Sequence, residues 1–249
     1  MKIIPLSEGT FTIDKTKRFV PFDESEHQLH ERPAGSLLVE IQPFVVITSR
    51  DILLLDAGLG FEKDGVLQLH RNLMDNGINP GDVTKVLMSH LHKDHAGGVG
   101  VERDGLGARL SFPNALYYVR RDELNFAFET GFPSFIPEEL ECLRDNPQVE
   151  LLDGDGEIDG YIHYALTAGH SPFHQAFRIR EEGQTVFYGG DEAPQLQQMK
   201  HRFVAKYDAD GKRAMELRRE WWQQGEAEGW TFLFYHDVKH PVFTFGVSR

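Results

Sequence analysis

The segment His90-Leu91-His92-Lys93-Asp94-His95-Ala96-Gly97-Gly98 gathers three imidazoles and a carboxylate within six residues. Nitrogen and oxygen donors in this mixture suit zinc, iron or manganese. His90 and His92, two positions apart, project to the same side if the backbone stays extended. Asp94 and His95 lie beyond a turn and point elsewhere, as a second metal would require. Gly97-Gly98 would permit close backbone approach at the start of a following helix. The whole string follows directly on the apolar run Val86-Leu87-Met88, which places it in the loop leaving a buried strand. Loops at such strand ends carry the ligand-binding groups of many α/β folds. A bare His-x-His would be read as a solvent-exposed turn; the longer string behind a buried strand favours metal.

The elements that must position this string are short. Leu37–Ile41, Phe44–Thr48 and Ile52–Leu55 read as three strands parted by Gln42-Pro43 and Ser49-Arg50-Asp51. Val66, Leu69 and Leu73 keep helical spacing, with Gly77 where a C-terminal cap would sit. Lys85–Ser89 is a further strand, apolar on both faces and therefore central. Leu116–Val119, Tyr161–Leu166, Ala176–Arg180, Thr185–Tyr188 and Thr231–Phe234 also read as strands, and Lys212–Gln223 as a helix with Ala214, Leu217 and Trp221 on one face. Strands mixed with helices and no linker imply one α/β domain over residues 1–249. The stretch 105–147 is less regular and rich in aromatics. It reads as a substrate-side insertion, either a peripheral helical pair with its own small core or a pocket walled by Phe132 and Phe135.

Composition narrows the class without naming the chemistry. A chain of 249 residues with 40% hydrophobic residues and 18 Phe buries a sizeable core and is not disordered. Its net charge of −13 fits poorly with a nucleic-acid binder, which needs a basic face. The single cysteine, Cys142, excludes an internal disulfide and a thiolate-rich zinc site, and reads as a small core residue. The start Met1-Lys2-Ile3-Ile4-Pro5-Leu6 is too short an apolar run for a signal peptide, and no run reaches membrane-span length. The expectation is a cytoplasmic protein with no membrane or nucleic-acid partner.

The histidine string is the signature of the metallo-β-lactamase superfamily, and the chain from about Leu37 to His236 resembles that family in the order of its motifs. Leu53-Leu54-Leu55-Asp56-Ala57-Gly58 looks like the strand and turn that bring a supporting carboxylate. Thr167-Ala168-Gly169-His170-Ser171 looks like the segment with a third histidine, Tyr188-Gly189-Gly190-Asp191 like the strand ending in a bridging aspartate, and Tyr235-His236-Asp237 like the final ligand strand. The resemblance implies a four-layer αββα sandwich. It implies two divalent metals, zinc first with iron or manganese as alternatives. His90, His92 and His170 would hold the first, and Asp94, His95 and His236 the second, with Asp191 bridging. Asp56 would orient the ligands through hydrogen bonds; a turn or helix-cap aspartate is its plain alternative. A hydroxide shared by the metals would attack a carbonyl or phosphoryl centre, with Asp94 or a metal-bound water returning the proton to the leaving group.

Within the superfamily the chain is most similar to the lactonase-like branch, which includes N-acyl-homoserine lactonases. Only thirteen residues of this sequence follow His236, so a helical domain like that of glyoxalase II-like enzymes is not expected. The acidity fits nuclease branches poorly, and true β-lactamases mostly lack the bridging aspartate and are exported. Flavodiiron proteins carry glutamate where His92 stands. One departure concerns the substrate: lactonases usually have a tyrosine shortly after the bridging aspartate, whereas Glu192, Ala193, Pro194 and Gln195 follow here. The expected reaction is hydrolysis of a lactone or other ester of a small molecule. The alternatives are a phosphodiester or thioester hydrolase on the same donors, an iron-dependent persulfide dioxygenase-like oxidoreductase, and a non-catalytic metal-stabilised domain. His174 matches a histidine often seen in this family four positions after His170, and a packed or surface histidine is the equal alternative; His163 reads as structural and His240 as unpaired. Lys200, Arg202, Lys206, Lys212, Arg213, Arg218 and Arg219 read as a solvated face or an interface. Phe19–Phe22 and the segment around Phe132 read as a lid or as the interface of a homodimer.

Overall fold

Alternation along short apolar strands divides their side chains between two faces, and this division builds the layers. The computed structural model describes residues 1–102 and 108–246. A first sheet of six strands runs in the order Lys2–Pro5, Phe44–Ile47, Ile52–Leu55, Lys85–Leu87, Leu116–Arg120, Val149–Leu152. The first three pair antiparallel and the remainder parallel. Val45, Leu54, Val86 and Val119 point outward beneath the helices Gln68–Asp75 and Arg121–Thr130, packing on Leu69, Leu73, Leu124 and Ala127. Val46, Leu53, Leu55 and Leu87 point inward, against Phe177, Ile179, Val186 and Tyr188 of a second sheet.

That second sheet also has six strands, ordered Gly156–Ile158, Ile162–Leu166, Gln175–Glu181, Gln184–Tyr188, Thr231–Leu233, Val242–Thr244. Only Gln184–Tyr188 and Thr231–Leu233 pair parallel, and the crossover between them carries the helix Gly211–Glu228. Ala176, Phe187 and Phe232 on its outer face meet Trp221 and Trp222 of that helix. Three cores therefore separate four layers, helices–sheet–sheet–helix, the αββα sandwich expected from the motifs. A smaller sheet of Gly9–Ile13, Phe19–Pro21 and Leu37–Ile41 extends the inner core through Phe11, Val39 and Ile41.

The expected strands recur to within a residue or two at their ends. Lys85–Leu87 is wholly buried with a neighbour on each side, as its double apolar face required. Gly77 takes φ +76° just beyond the helix Gln68–Asp75. Three expectations change. The helical turn at the histidine string precedes Gly97-Gly98, spanning Lys93–Ala96, and the glycines serve a different approach. A Cβ on Gly97 or Gly98 would stand 2.3 Å from Leu59 O or 2.2 Å from Ala57 O, so only glycine lets the two loops touch. The segment 105–147 is in part a component of the first sheet, since Leu116–Arg120 is one of its strands; its first residues, 105–107, lie outside the described residues. Arg218 does not belong to a solvated face. It is 1% exposed and donates to Glu192 O at 2.8 Å, in the turn after the Gln184–Tyr188 strand, and to Phe203 O at 2.6 Å, beyond the helix Leu196–Lys200. Among the described residues no helix is long and apolar enough to cross a membrane.

Candidate metal centre

The loops that leave the carboxyl ends of five strands converge at one edge of the sandwich. Asp56 follows Ile52–Leu55 and His90–His95 follows Lys85–Leu87; His170, Asp191 and His236 follow strands of the second sheet. Such strand ends are where open α/β sheets hold ligands. One donor group contains His90, His92, His170 and Asp191, and a second contains Asp94, His95 and His236. Within the first, His92 Nδ1 lies 3.0 Å from His90 Nε2 and 3.1 Å from His170 Nε2. Asp191 faces both groups. Its Oδ2 is 3.2 Å from His170 Nε2, while Oδ1 is 3.0 Å from His236 Nε2 and 3.2 Å from His95 Nε2. Asp94 Oδ2 stands 3.5 Å from His236 Nε2 and 3.8 Å from His95 Nε2.

Ring nitrogens turned toward one another at hydrogen-bond distance leave lone pairs facing lone pairs, an arrangement that a cation relieves. His95 Nε2 and Asp191 Oδ1 are buried and form no hydrogen bond. Unpaired buried polar atoms cost free energy, so a metal-ligating role fits these residues well. The opposite side of three of the rings is tied down. His95 Nδ1 donates to Asp56 Oδ2 at 2.7 Å, His170 Nδ1 to Asp208 Oδ1 at 2.9 Å, and His236 Nδ1 to Glu40 O at 2.7 Å. These partners fix tautomer and orientation. Asp56 also accepts from Ser89 N at 2.7 Å, Ser89 Oγ at 2.6 Å and the Tyr188 hydroxyl at 2.5 Å.

Burial is the largest influence on the histidines and opposes a charged ring. At His90, His92 and His174 burial wins, holding them well below the usual imidazole range. At His95, His170 and His236 the Asp191 carboxylate outweighs burial and the values rise. Neutral rings with free lone pairs are the form a metal takes up.

The chain from residue 41 to residue 236 matches the family model described as the metallo-beta-lactamase superfamily. This chain belongs to the metallo-β-lactamase superfamily. It is 32% identical over 113 residues to the N-acyl homoserine lactonase AttM of Azorhizobium caulinodans, covering 42% of this chain and 38% of that protein. It is 30% identical over 122 residues to an N-acyl homoserine lactonase of Bacillus cereus, covering 49% and 41%. The matched stretch thus spans about two fifths of the length of these curated relatives. Among solved structures, a probable metal-dependent hydrolase from Staphylococcus aureus superposes with a TM-score of 0.79 at 21% identity, covering 99% of this chain and 93% of the other. AidC, a dizinc quorum-quenching lactonase bound to a product, superposes with a TM-score of 0.73 at 20% identity, covering 97% and 89%.

The superfamily motifs account for the seven donors and Asp56, which the fold brings together. Other sequence candidates separate. Phe135 is 1% exposed, and its ring packs 4.9 Å from that of His92. Phe132 is 78% exposed, with Lys93 Nζ 5.7 Å from its ring. His174 is buried: it bonds Thr167 Oγ1 and accepts the Asp191 backbone N–H at 3.2 Å, so it braces the loop of Asp191. His163 and His240 lie away from the donors, and burial pushes the Cys142 thiol up to about 11.

Four residues around the centre were not singled out from sequence. Asp208 bonds His170, and Glu192 Oε1 accepts the N–H groups of Gly169 at 2.5 Å and His170 at 2.9 Å. Glu123 accepts the Leu91 N–H, and the half-exposed Tyr207 sets its ring 6.1 Å from that of His170. The helix-start aspartate-rich run Asp208-Ala209-Asp210 was the only local signal among them, and it marks a helix cap as readily as a ligand partner.

Proposed function

We propose that this chain is a dinuclear metal-dependent hydrolase that cleaves a lactone or another ester of a small molecule. The observation that carries the reading is Asp191, with one carboxylate oxygen toward each donor group. His90, His92 and His170 would hold one ion and Asp94, His95 and His236 the other, with Asp191 facing both. The nitrogen and oxygen donor set favours zinc, with iron and manganese compatible. A bound pair of ions supplies a water with a depressed pKa and polarisation of the substrate oxygen. Asp94, beside His95 and His236, would take the proton released by the attacking water and pass it to the leaving-group oxygen.

Substrate contacts come from the rim. Tyr188 and Tyr235 are buried and donate to Asp56 and to Asp94 O, so neither can reach a substrate. Tyr207 is 47% exposed beside His170 and supplies the phenol that no residue directly after Asp191 provides. Burial pushes its hydroxyl up to about 12, with the Asp191 and Asp208 charges adding, so it stays a hydrogen-bond donor. A cavity of about 680 Å³ opens between the small N-terminal sheet, Phe61 and Val238–Lys239, and none of the seven donors is in its lining. Its lining joins Phe11, Phe22 and Phe61 to Asp23, Glu24 and Glu26, a surface that suits an uncharged acyl group better than a phosphodiester. The second donor group argues against a mononuclear iron oxygenase.

Metal analysis with ester and lactone assays tests the reading. The expectation is two equivalents of transition metal per chain, ring opening of N-acyl homoserine lactones, and loss of both turnover and metal in Asp191→Ala. Less than half an equivalent of metal, together with full activity in Asp191→Ala, overturns it. Oxygen consumption with a persulfide in place of hydrolysis points to the oxidative alternative.

A further inference from the structure

Glu123 belongs to neither donor group, yet it is 1% exposed. It is the third residue of the helix Arg121–Thr130, which leaves the strand Leu116–Arg120 directly. From there its two carboxylate oxygens divide between two loops. Oε1 accepts the backbone N–H of Leu91 at 3.0 Å, and Oε2 accepts from Ser171 Oγ at 3.2 Å. Leu91 stands between His90 and His92, and Ser171 follows His170. One loop comes from the first sheet and the other from the second, so a single side chain spans the junction that the first donor group straddles. Leu91 is fully buried, so its N–H depends on Glu123 for a partner. On the far side of the second loop, Glu192 holds the N–H groups of Gly169 and His170, so residues 169–171 are gripped from two directions.

We infer that Glu123 is a positioning residue, setting the separation of His90 and His92 from His170 and thereby the affinity of the first metal subsite. The inference rests on reading those histidines as metal ligands. Both protonation states perform the task. The ionised carboxylate accepts both hydrogen bonds; the neutral acid accepts from Leu91 and donates its hydroxyl to Ser171 Oγ. Glutamine can do the same, with Oε1 toward Leu91 and Nε2 donating to Ser171, whereas alanine leaves both loops untied.

The test compares full-length wild type with Glu123→Ala, Glu123→Gln and Ser171→Ala. Zinc affinity is measured by competition with a chromophoric chelator, and site geometry by the visible spectrum of the cobalt(II)-loaded protein. Orienting partners of metal ligands typically carry ~10–100-fold in metal affinity, and a loss of that size at one site is expected for Glu123→Ala. Glu123→Gln should stay close to wild type, and Ser171→Ala should lose less than Glu123→Ala. A folded Glu123→Ala with unchanged affinity and cobalt spectrum overturns the inference, even if its melting temperature falls. Should Glu123→Ala not fold, Ser171→Ala decides: weaker binding supports the clamp and unchanged binding overturns it. A wild type that takes up no metal instead overturns the reading of the site, and this inference with it.

Discussion

Asp56→Asn isolates the carboxylate on which the centre is assembled. Asp56 is fully buried and takes four hydrogen bonds, one at Oδ1 from Ser89 N and three at Oδ2 from Ser89 Oγ, Tyr188 and His95. Its backbone sits at φ +55°, a left-handed conformation that asparagine also tolerates, so the substitution adds little strain. An asparagine whose oxygen serves the three donors must turn its NH₂ toward Ser89 N–H, donor against donor. A buried N–H without a partner costs ~1–3 kcal/mol, and losing the charge weakens the remaining bonds by roughly as much again. The expected loss is therefore about 3–5 kcal/mol, the range seen when one partner of a buried charged pair is removed. The ring of His95 is also released, so binding at the second subsite should weaken ~10–100-fold. Urea unfolding of the metal-free protein measures the first effect and zinc titration of the folded variant the second. If metal-free stability moves by less than ~0.5 kcal/mol, within ordinary surface-mutation scatter, and both metals bind as in wild type, the reasoning about Asp56 is wrong.

Gly98→Ala would set a Cβ 2.2 Å from Ala57 O, so the two loops must part; a loss of ~1–3 kcal/mol in urea unfolding is expected, and an unchanged midpoint would refute the close approach. Phe135→Ala should cost ~3–5 kcal/mol and Phe132→Ala less than ~0.5 kcal/mol, since only the first ring is buried. Burial raises Glu8 from 4.5 to about 7, opposed by the Leu59 N–H bond, so the folded state binds its proton more tightly than the unfolded chain. That stability is fully present below pH 4.5 and is lost as pH rises through about 7. Relative to Glu8→Gln, wild type should lose roughly 3 kcal/mol across this window, read from unfolding at a series of pH values. Zinc at ~1,000 times its dissociation constant should stabilise the chain by ~4 kcal/mol, an increment that chelation followed by calorimetry should remove.

The local string His90–His95 was legible because its donors are neighbours in sequence and sit behind one buried strand. His170, Asp191 and His236 were legible for a different reason: each ends a recognisable strand, and the order of those strands matches a known family. The supporting carboxylates had no such mark. Glu123 lies in a helix written Arg-Asp-Glu-Leu, whose acids read as an ordinary polar first turn. Glu192 reads as the residue after Asp191, and Arg218 as one more charge in a basic stretch, yet both are buried.

The sequence by itself determined the strand pattern, the layered α/β class and the family, because these are written in side-chain period and in the order of short motifs; the same motifs pointed to the residues proposed as donors. Only the tertiary structure decided which polar side chains face the donors from behind. Glu123 to Ser171, Asp208 to His170 and Glu40 to His236 are contacts between segments far apart in the chain. Nothing in local composition distinguishes a carboxylate that meets water from one that meets a buried N–H. Phe132 and Phe135 make the same point at close range. Three positions apart in one loop, one is open to solvent and the other packs behind His92, a difference set by the neighbouring helix and histidine rather than by the residue type.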